Sequence, residues 1–153
     1  MRRKDREKDA AFAFNVLRDC EYATLATINP DGTPYCIPLS PVLVDNTVYF
    51  HCAKKGRKLT NIIENSAVCI SGVSYTNLVP EQYTTEYESF VATGKCEIVT
   101  NDEEKIMALR RISEKFAQSA IEQFDSRMAQ WAVRTTVCKI EIENITGKAN
   151  RLT

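Results

Sequence analysis

The chain has 153 residues, of which 44% are hydrophobic and 26% charged, and its 20 Lys and Arg balance its 20 Asp and Glu. Such a composition is typical of a soluble globular protein, and the zero net charge argues against a general nucleic-acid-binding protein, which would carry a basic excess. No apolar run approaches the roughly 18 residues of a membrane span, and no signal core follows the basic N-terminus. We therefore expect a single cytoplasmic domain over residues 1–153, with no membrane or nucleic-acid partner.

The cysteines indicate neither disulfides nor a metal site. There are six, at positions 20, 36, 52, 69, 96 and 138, and none forms a CxxC pair. His51 is the only histidine that could complete a zinc site. Most of the cysteines lie within or beside apolar β-like runs, so we expect buried free thiols and no bound metal.

The first half of the chain predicts one helix followed by three strands. Residues 3–19 place apolar side chains at helical spacing, and residues 22–28 alternate with a period of two. Asn29-Pro30-Asp31-Gly32 then predicts a turn, because Pro presets one dihedral and Gly supplies a positive φ. Residues 33–44 carry three prolines, which predicts an interrupted or edge strand. A turn at Asp45-Asn46 leads into a third strand over 47–52.

The second half predicts three more strands and further helices. We expect a short helix over 57–65, a strand over 66–75, a polar loop over 76–85 and a strand over 86–100 with a bulge at Gly94. A helical insert follows over about 102–131, starting from the N-cap candidate Asn101, with Ile106, Leu109 and Ile112 on its inner face. The last strand is expected over 135–145. Together these elements predict an α+β fold, mainly antiparallel, built as a six-stranded barrel with flanking helices.

The most informative stretch for function is the basic loop, residues 54–58, with the sequence Lys-Lys-Gly-Arg-Lys. A strand ends before this loop and a helix begins near Arg57. Exposed N–H groups at a helix start attract negative charge, and a guanidinium fork suits phosphate, so the loop predicts an anion site. The alternative is a solvated charged turn. Neither a Walker loop nor a Rossmann fingerprint is present.

The order of these motifs resembles a known family. Leu25-Ala26-Thr27, Asp31-Gly32-Thr33-Pro34, Ile37-Pro38-Leu39 and residues 49–58 are similar to the pyridoxamine 5′-phosphate oxidase-like, FMN-binding split-barrel superfamily. Within it, the chain most resembles the Nim-type (5-nitroimidazole resistance) nitroreductase branch. The resemblance covers residues 10–150.

This resemblance implies a cofactor, a partner and a set of site residues. FMN would lie at the interface of a homodimer, with the strand over 35–40 beside the isoalloxazine ring and Arg57 and Lys58 on the phosphate. FAD or haem is a less favoured cofactor. The residues implied to contact the cofactor are Ile37, Pro38, Leu39, Ser40, His51, Cys52, Ala53, Arg57 and Lys58.

The implied activity is an FMN-dependent oxidoreductase that passes electrons from NAD(P)H to a small acceptor, such as a nitroaromatic compound. Oxidation of pyridoxamine phosphate itself is not expected, because the second strand lacks the substrate-binding Arg of that enzyme and the tail lacks its basic segment. The alternatives are a non-catalytic flavin- or haem-binding protein, with His51 as an axial ligand, and a fold that has lost its cofactor. His51 is also the one candidate for a catalytic group, and Trp131 and the tyrosines at 75, 83 and 87 could stack on a flavin or belong to the core.

Overall fold

The computed structural model describes residues 2–152. The helices are α1 (Ala10–Asp19), α2 (Arg57–Glu64), α3 (Asp102–Phe116) and α4 (Phe124–Trp131). The strands are β1 (Glu7–Lys8), β2 (Ala23–Ile28), β3 (Pro34–Leu39), β4 (Val42–Val44), β5 (Thr47–Ala53), β6 (Ala67–Val79), β7 (Thr84–Ile98) and β8 (Thr135–Asn150). Short 3₁₀ segments lie at Lys4–Arg6, Pro80–Gln82, Gln118–Gln123 and Ala132–Arg134.

The strands form one antiparallel sheet in the order β3-β2-β6-β7-β8-β5-β4, and β1 pairs with β8. The predicted α+β, mainly antiparallel fold is therefore confirmed, although the sheet has eight strands and not six. The predicted strand over 33–44 divides into β3 and β4 around Ser40 and Pro41, because prolines cannot donate to a continuous ladder. The extra strand β1 pairs Glu7 with Lys148.

The connection between β3 and β4 makes the sheet a barrel. These two strands lie at opposite ends of the hydrogen-bonded order, yet only Ser40 and Pro41 separate them along the chain. The sheet must therefore curl until its two edges meet at this corner. The Lys115 ammonium donates to the carbonyl oxygens of Cys20 (2.7 Å) and Pro41 (3.0 Å), which ties the corner to α1 and α3.

The apolar core has two parts. Inside the barrel, α1 and α2 pack their apolar faces against the inward side chains of the strands, including Leu25, Phe50 and Ile140. On the outside, α3 and α4 pack over β4 and β5, around Tyr49 and Leu109. Every helix therefore covers part of the sheet, and the helix α2 that follows the basic loop is anchored in the barrel interior.

Three boundaries and one inner-face residue differ from the sequence-based expectations. The N-terminal helix begins at Ala10 and not at residue 3, because the Asp9 side chain caps it by accepting from Phe12 N (2.8 Å) and residues 7–8 pair with β8. The expected loop over 76–85 is mostly strand, since β6 and β7 stay paired up to Val79 and Thr84. The strand β8 continues to Asn150 and not only to residue 145. Ile106 on α3 is 46% exposed, because the buried stripe of this helix consists of Ala108, Leu109 and Ile112.

Two local expectations are confirmed. Asn101 caps α3 by accepting from Glu104 N at 2.8 Å, and the register shifts between Thr93 and Gly94. A Cβ at position 94 would collide with the Glu141 carbonyl oxygen, which explains the glycine. None of the helices within residues 2–152 is long and apolar enough to cross a membrane.

All six cysteines are free, and three of them are buried as expected: Cys20, Cys96 and Cys138. Cys52 and Cys69 are half-buried. Cys36 is exposed, because it points outward from the edge strand β3, which the sequence pattern alone did not indicate.

Candidate functional site

The basic loop joins the end of β5 to the start of α2, as the sequence predicts. Gly56 is the N-cap of α2, with φ +151° and ψ 160°, a conformation that is essentially restricted to glycine. The backbone N–H groups of Leu59 and Thr60 both donate to the Gly56 carbonyl oxygen, at 3.0 and 3.3 Å. No side chain caps this helix. The N–H groups of Arg57 and Lys58 are therefore the ones that an external anion would meet.

The four cations of the basic loop are not neutralised by the protein. None of the ion pairs among residues 2–152 includes Lys54, Lys55, Arg57 or Lys58. The first three are exposed, and Lys58 is half-buried. A cluster of unpaired positive charge at a helix N-terminus is an arrangement that attracts a phosphate group.

Arg57 lies against the β2–β3 hairpin. Its guanidinium carbon is 5.4 Å from the centroid of the Tyr35 ring on β3, within the range of a cation–π contact. Hydrogen bonds from Thr33 lower the pKa of the Asp31 carboxyl, and the charge of Arg57 lowers it further. The first residue of α2 thus lies over an aromatic ring of the hairpin and shares a cleft with its Asp31 carboxylate, without an ion pair.

Lys58 lies near the end of β5. Partial desolvation by neighbouring atoms first, and the charge of Lys58 second, lower the pKa of His51, although the residue keeps an exposed surface. The thiol of Cys52, which is half-buried beside Cys138, has a raised pKa because of their hydrogen bond and because of burial. His51 is therefore neutral at pH 7, with its imidazole open to a ligand, while Cys52 stays a protonated thiol.

The residues of β3 alternate between the two faces of the sheet. Pro38 is exposed, and Ile37 and Ser40 are half-buried. Leu39 is only 9% exposed and packs in the barrel core, so its side chain does not reach a ligand on the surface. Of the four predicted site residues in the segment 37–40, Leu39 can contribute to a binding site only through its backbone.

The structure therefore brings the loop cations near two strands that carry predicted site residues. Arg57 reaches Tyr35 on β3, and Lys58 influences His51 and Cys52 on β5. Ala53 ends β5 and is exposed beside the basic loop. The site lies where the first turn of α2 meets the edge strand β3 and the end of β5.

Sequence reasoning missed a polar cluster beside this site. Asn61 on α2 is fully buried, and its side-chain amide donates to Thr27 Oγ1 and Asn29 Oδ1, both at 2.9 Å. Its own Oδ1 has no hydrogen-bond partner within residues 2–152. The signal in the sequence was an asparagine set between Leu59 and Ile62, the two buried apolar residues of the helix.

An open cleft of about 430 Å³ lies between this cluster and the surface. The β2–β3 turn forms one wall and the first two turns of α2 form the other. Its lining consists of Asn29, Pro30, Asp31, Arg57, Thr60 and Asn61. Arg57 thus borders both the cleft and β3.

The other candidate aromatics serve different contacts. The Tyr75 ring lies under the Arg151 guanidinium at 3.3 Å, whereas Tyr83 is 98% exposed at the β6–β7 turn. The Tyr87 ring lies 5.6 Å from the Lys148 ammonium, and Trp131 lines a small apolar cleft between α3 and α4. No group of three metal-binding side chains occurs among the described residues.

Comparison with known proteins gives a family match over most of the chain. The sequence model described as pyridoxamine 5′-phosphate oxidase matches residues 9–149. No curated protein matches the chain by sequence.

Several solved structures share the fold. A protein from Bacteroides thetaiotaomicron named for 5-nitroimidazole antibiotic resistance has a TM-score of 0.72 and 22% identity, over 94% of this chain and 89% of that chain. An FAD-binding protein from Mesorhizobium loti has a TM-score of 0.68 and 18% identity, over 95% and 98% of the two chains. A protein from Mycobacterium smegmatis that binds FAD and haem has a TM-score of 0.69 and 15% identity, over 96% and 74%. At these identities the likeness establishes the shared fold.

Proposed function

The chain belongs to the pyridoxamine 5′-phosphate oxidase family, and on that premise we propose that it is an FMN-dependent oxidoreductase. It would take electrons from a reduced nicotinamide and pass them to a small acceptor, such as a nitroaromatic compound of the 5-nitroimidazole type. The Nim-type branch, to which the sequence pattern points, remains a prediction. The observation that carries the proposal is the unpaired basic loop, which meets β3 and the end of β5 at the start of α2.

The residues at this site fit the phosphate of FMN. A phosphate dianion needs several donors and positive charge, and the open N–H groups of Arg57 and Lys58 and their side chains supply both. The exposed lysines of the loop add to the potential that attracts an anion.

The residues also fit the flat part of a flavin. Pro38 is exposed on the edge strand β3, next to the half-buried Ile37, and offers a flat apolar surface with little polar competition. Backbone groups of an edge strand are free on one side, so β3 can donate to and accept from the polar edge of a ring. Ser40 continues this edge at the corner of the barrel.

Each group has a separate role in this proposal. When bound, the flavin supplies the redox chemistry, and the protein supplies binding, orientation and exclusion of water. Arg57 and Lys58 bind the phosphate, and β3 orients the ring. His51 is neutral at pH 7, so a ring nitrogen can accept or hold one proton beside the ligand. Cys52 lines the site as a protonated thiol and takes no nucleophilic part.

We place the proposed site at the interface of a homodimer. The outward side chains of β3, β2 and β6, with those of β7 up to Lys95, form a face on which Lys95 is the one charged residue, and Glu97 follows beyond this face, where it pairs with Lys139. The face consists of Pro34, Cys36 and Pro38, Thr24, Ala26 and Ile28, Ala67, Cys69, Ser71 and Val73, and Val91, Thr93 and Lys95. The centres of protein interfaces are likewise depleted in charged residues. This resemblance supports the face as the contact surface of the homodimer.

A second candidate function is haem binding without catalysis. The feature in its favour is His51, an exposed and neutral imidazole that is free to serve as an axial ligand. The neighbour from M. smegmatis that binds FAD and haem is consistent with either cofactor on this fold. The visible spectrum of the purified protein separates the two functions, since a flavin gives two bands and a haem gives a Soret band.

The phosphate anchor is tested by the double substitution R57A/K58A. Each charge-assisted hydrogen bond contributes about 1.5–3 kcal/mol, so we expect FMN affinity to fall by about 3 kcal/mol, or roughly a hundredfold in Kd. FMN titration followed by flavin fluorescence measures this change. The control R18A/R111A removes two cations from α1 and α3 and should leave the Kd unchanged. Unchanged affinity in R57A/K58A would refute the phosphate anchor.

A further inference from the structure

Asn61 occupies an unusual place for an amide. It lies on the inner side of α2 between Leu59 and Ile62, and it is 0% exposed. A buried amide loses its hydrogen bonds to water, so an apolar residue of similar size would pack there at lower cost unless the amide has specific partners. Those partners are the hydroxyl of Thr27 on β2 and the side-chain oxygen of Asn29 in the following turn.

Both partners hydrogen-bond onward to residues that lie near Arg57. The Thr27 hydroxyl donates to the Tyr35 carbonyl oxygen at 3.3 Å, and the Tyr35 ring lies under the guanidinium. The Asn29 amide donates to Thr33 Oγ1 at 3.0 Å, and this hydroxyl donates to Asp31 Oδ1 at 2.6 Å. Asn61 is therefore the common origin of two hydrogen-bonded paths, one to the backbone of Tyr35 and one to the Asp31 carboxylate.

We propose that Asn61 is a positioning residue for the phosphate anchor: it locks the β2–β3 hairpin onto α2 so that Tyr35 and Asp31 hold the Arg57 guanidinium in its binding orientation. The inference rests on the proposed function, because it assigns Arg57 to a phosphate. Asn61 itself touches no ligand and acts through Thr27 and Asn29.

The flexibility of the Arg57 side chain is the physical reason for a positioning residue. An arginine at the first position of an exposed helix turn has many rotamers, and ordering them on binding lowers affinity. A ring under the guanidinium and a carboxylate in the same cleft order it in advance. Both come from the hairpin, while the arginine comes from α2, so the hairpin and the helix must be joined rigidly. The fully buried amide is the direct polar link between them, through Thr27 and Asn29.

The test measures the contribution of the phosphate and not overall binding. FMN and riboflavin differ only in the phosphate, so the ratio of the riboflavin Kd to the FMN Kd isolates the anchor. The variants are N61L, which is close in size and apolar, and the matched pair T27V and T27S. T27V removes the hydroxyl with little change in shape, whereas T27S keeps the hydroxyl and loses a methyl group. R57A sets the scale of a lost anchor.

We expect the ratio to fall at least fivefold in N61L and in T27V, and to stay within twofold of wild type in T27S. Adding N61L to R57A should lower the ratio no further, because both changes act on one guanidinium. A residue with a merely structural role would lower the melting temperature in all three variants and leave the ratio unchanged. Circular dichroism confirms folding, and if N61L does not fold, the T27V and T27S pair decides alone.

The two proposals fail in different ways. A wild-type ratio near one would refute the phosphate anchor and, with it, the role of Asn61. A high wild-type ratio that R57A lowers but N61L and T27V leave unchanged would refute only the role of Asn61. A fall in T27S as large as that in T27V would also overturn it, since the hydroxyl would then not be the relevant group.

Discussion

Gly56 determines where the charges of the basic loop point. Its φ of +151° and ψ of 160° turn the chain from the loop after Ala53 into α2, and no side chain caps the helix, so the helix N–H groups stay open. A β-carbon would meet no neighbouring atom within 4 Å, so the requirement for glycine comes from its own backbone and not from crowding.

The substitution G56A tests this requirement. The strained backbone should cost about 1–3 kcal/mol, and relief of the strain would turn the first N–H groups away from the ligand. We expect the FMN Kd to rise while the riboflavin Kd changes little. Denaturant unfolding and flavin titration measure the two effects. An equal loss for both flavins would mean that the change is a general loss of stability.

At the scale of elements, polar contacts around Glu104 help to fasten the helical insert to the barrel. The Tyr49 hydroxyl on β5 donates to Glu104 Oε1 on α3 at 2.8 Å. Lys139 on β8 pairs with the same carboxylate at 3.2 Å and with Glu97 at 3.1 Å. Because Tyr49 is only 6% exposed, its hydroxyl depends on this partner.

Burial, and then the hydrogen bond to Glu104, raise the pKa of Tyr49 from 10.0 to about 12. The folded state thus holds the hydroxyl proton more tightly than the unfolded state does. The resulting contribution of Tyr49 to the free energy of unfolding is complete below pH 10 and is lost as the pH rises towards 12. In Y49F this loss is absent. We expect the stability difference between wild type and Y49F to shrink by about 1.5 kcal/mol between about pH 9.5 and 11.5.

Urea unfolding at several pH values measures this difference. The control is Y22F, since Tyr22 is 67% exposed and its hydroxyl faces solvent. A wild-type to Y49F difference that stays constant with pH would contradict the assigned partner.

At the scale of the whole molecule, the two faces of the curled sheet differ in what they contact. The inner face packs the core with α1 and α2. The outer face of β3, β2, β6 and β7 is nearly uncharged, and Cys36, Ala26 and Cys69 lie side by side across three of its strands. The proposed homodimer places a second copy of the chain on this face.

The substitution A26R tests the proposed homodimer. Ala26 lies near the centre of this face, where the desolvation of an arginine in an apolar interface would disfavour association. We expect wild type to be a dimer and A26R a monomer with reduced FMN affinity. Light scattering after size-exclusion chromatography measures the mass. Q130R, on the exposed side of α4, should remain a dimer. A monomeric wild type, or an unchanged A26R, would contradict the proposal.

Local patterns predicted the elements that depend on local chemistry. The Asn101 cap, the Gly94 bulge and the helix after Gly56 follow from side-chain and backbone preferences that act over a few residues. The wrong boundaries, at the start of α1 and in the expected loop over 76–85, are those where strand pairing extends an element beyond its own signal. Pairing partners are distant in sequence, so no local window contains them.

The sequence by itself determined the antiparallel α+β class, the broken strand at the prolines and a basic loop at a helix start, because periodicity, missing N–H groups and charge are properties of adjacent residues. Only the tertiary structure decided which side chains surround that loop. The closed barrel sets the β2–β3 hairpin against α2, which places Tyr35 and Asp31 near Arg57 and buries Asn61 against Thr27 and Asn29. Contacts between residues so far apart along the chain arise when the whole sheet curls, and no pattern of neighbouring residues specifies them.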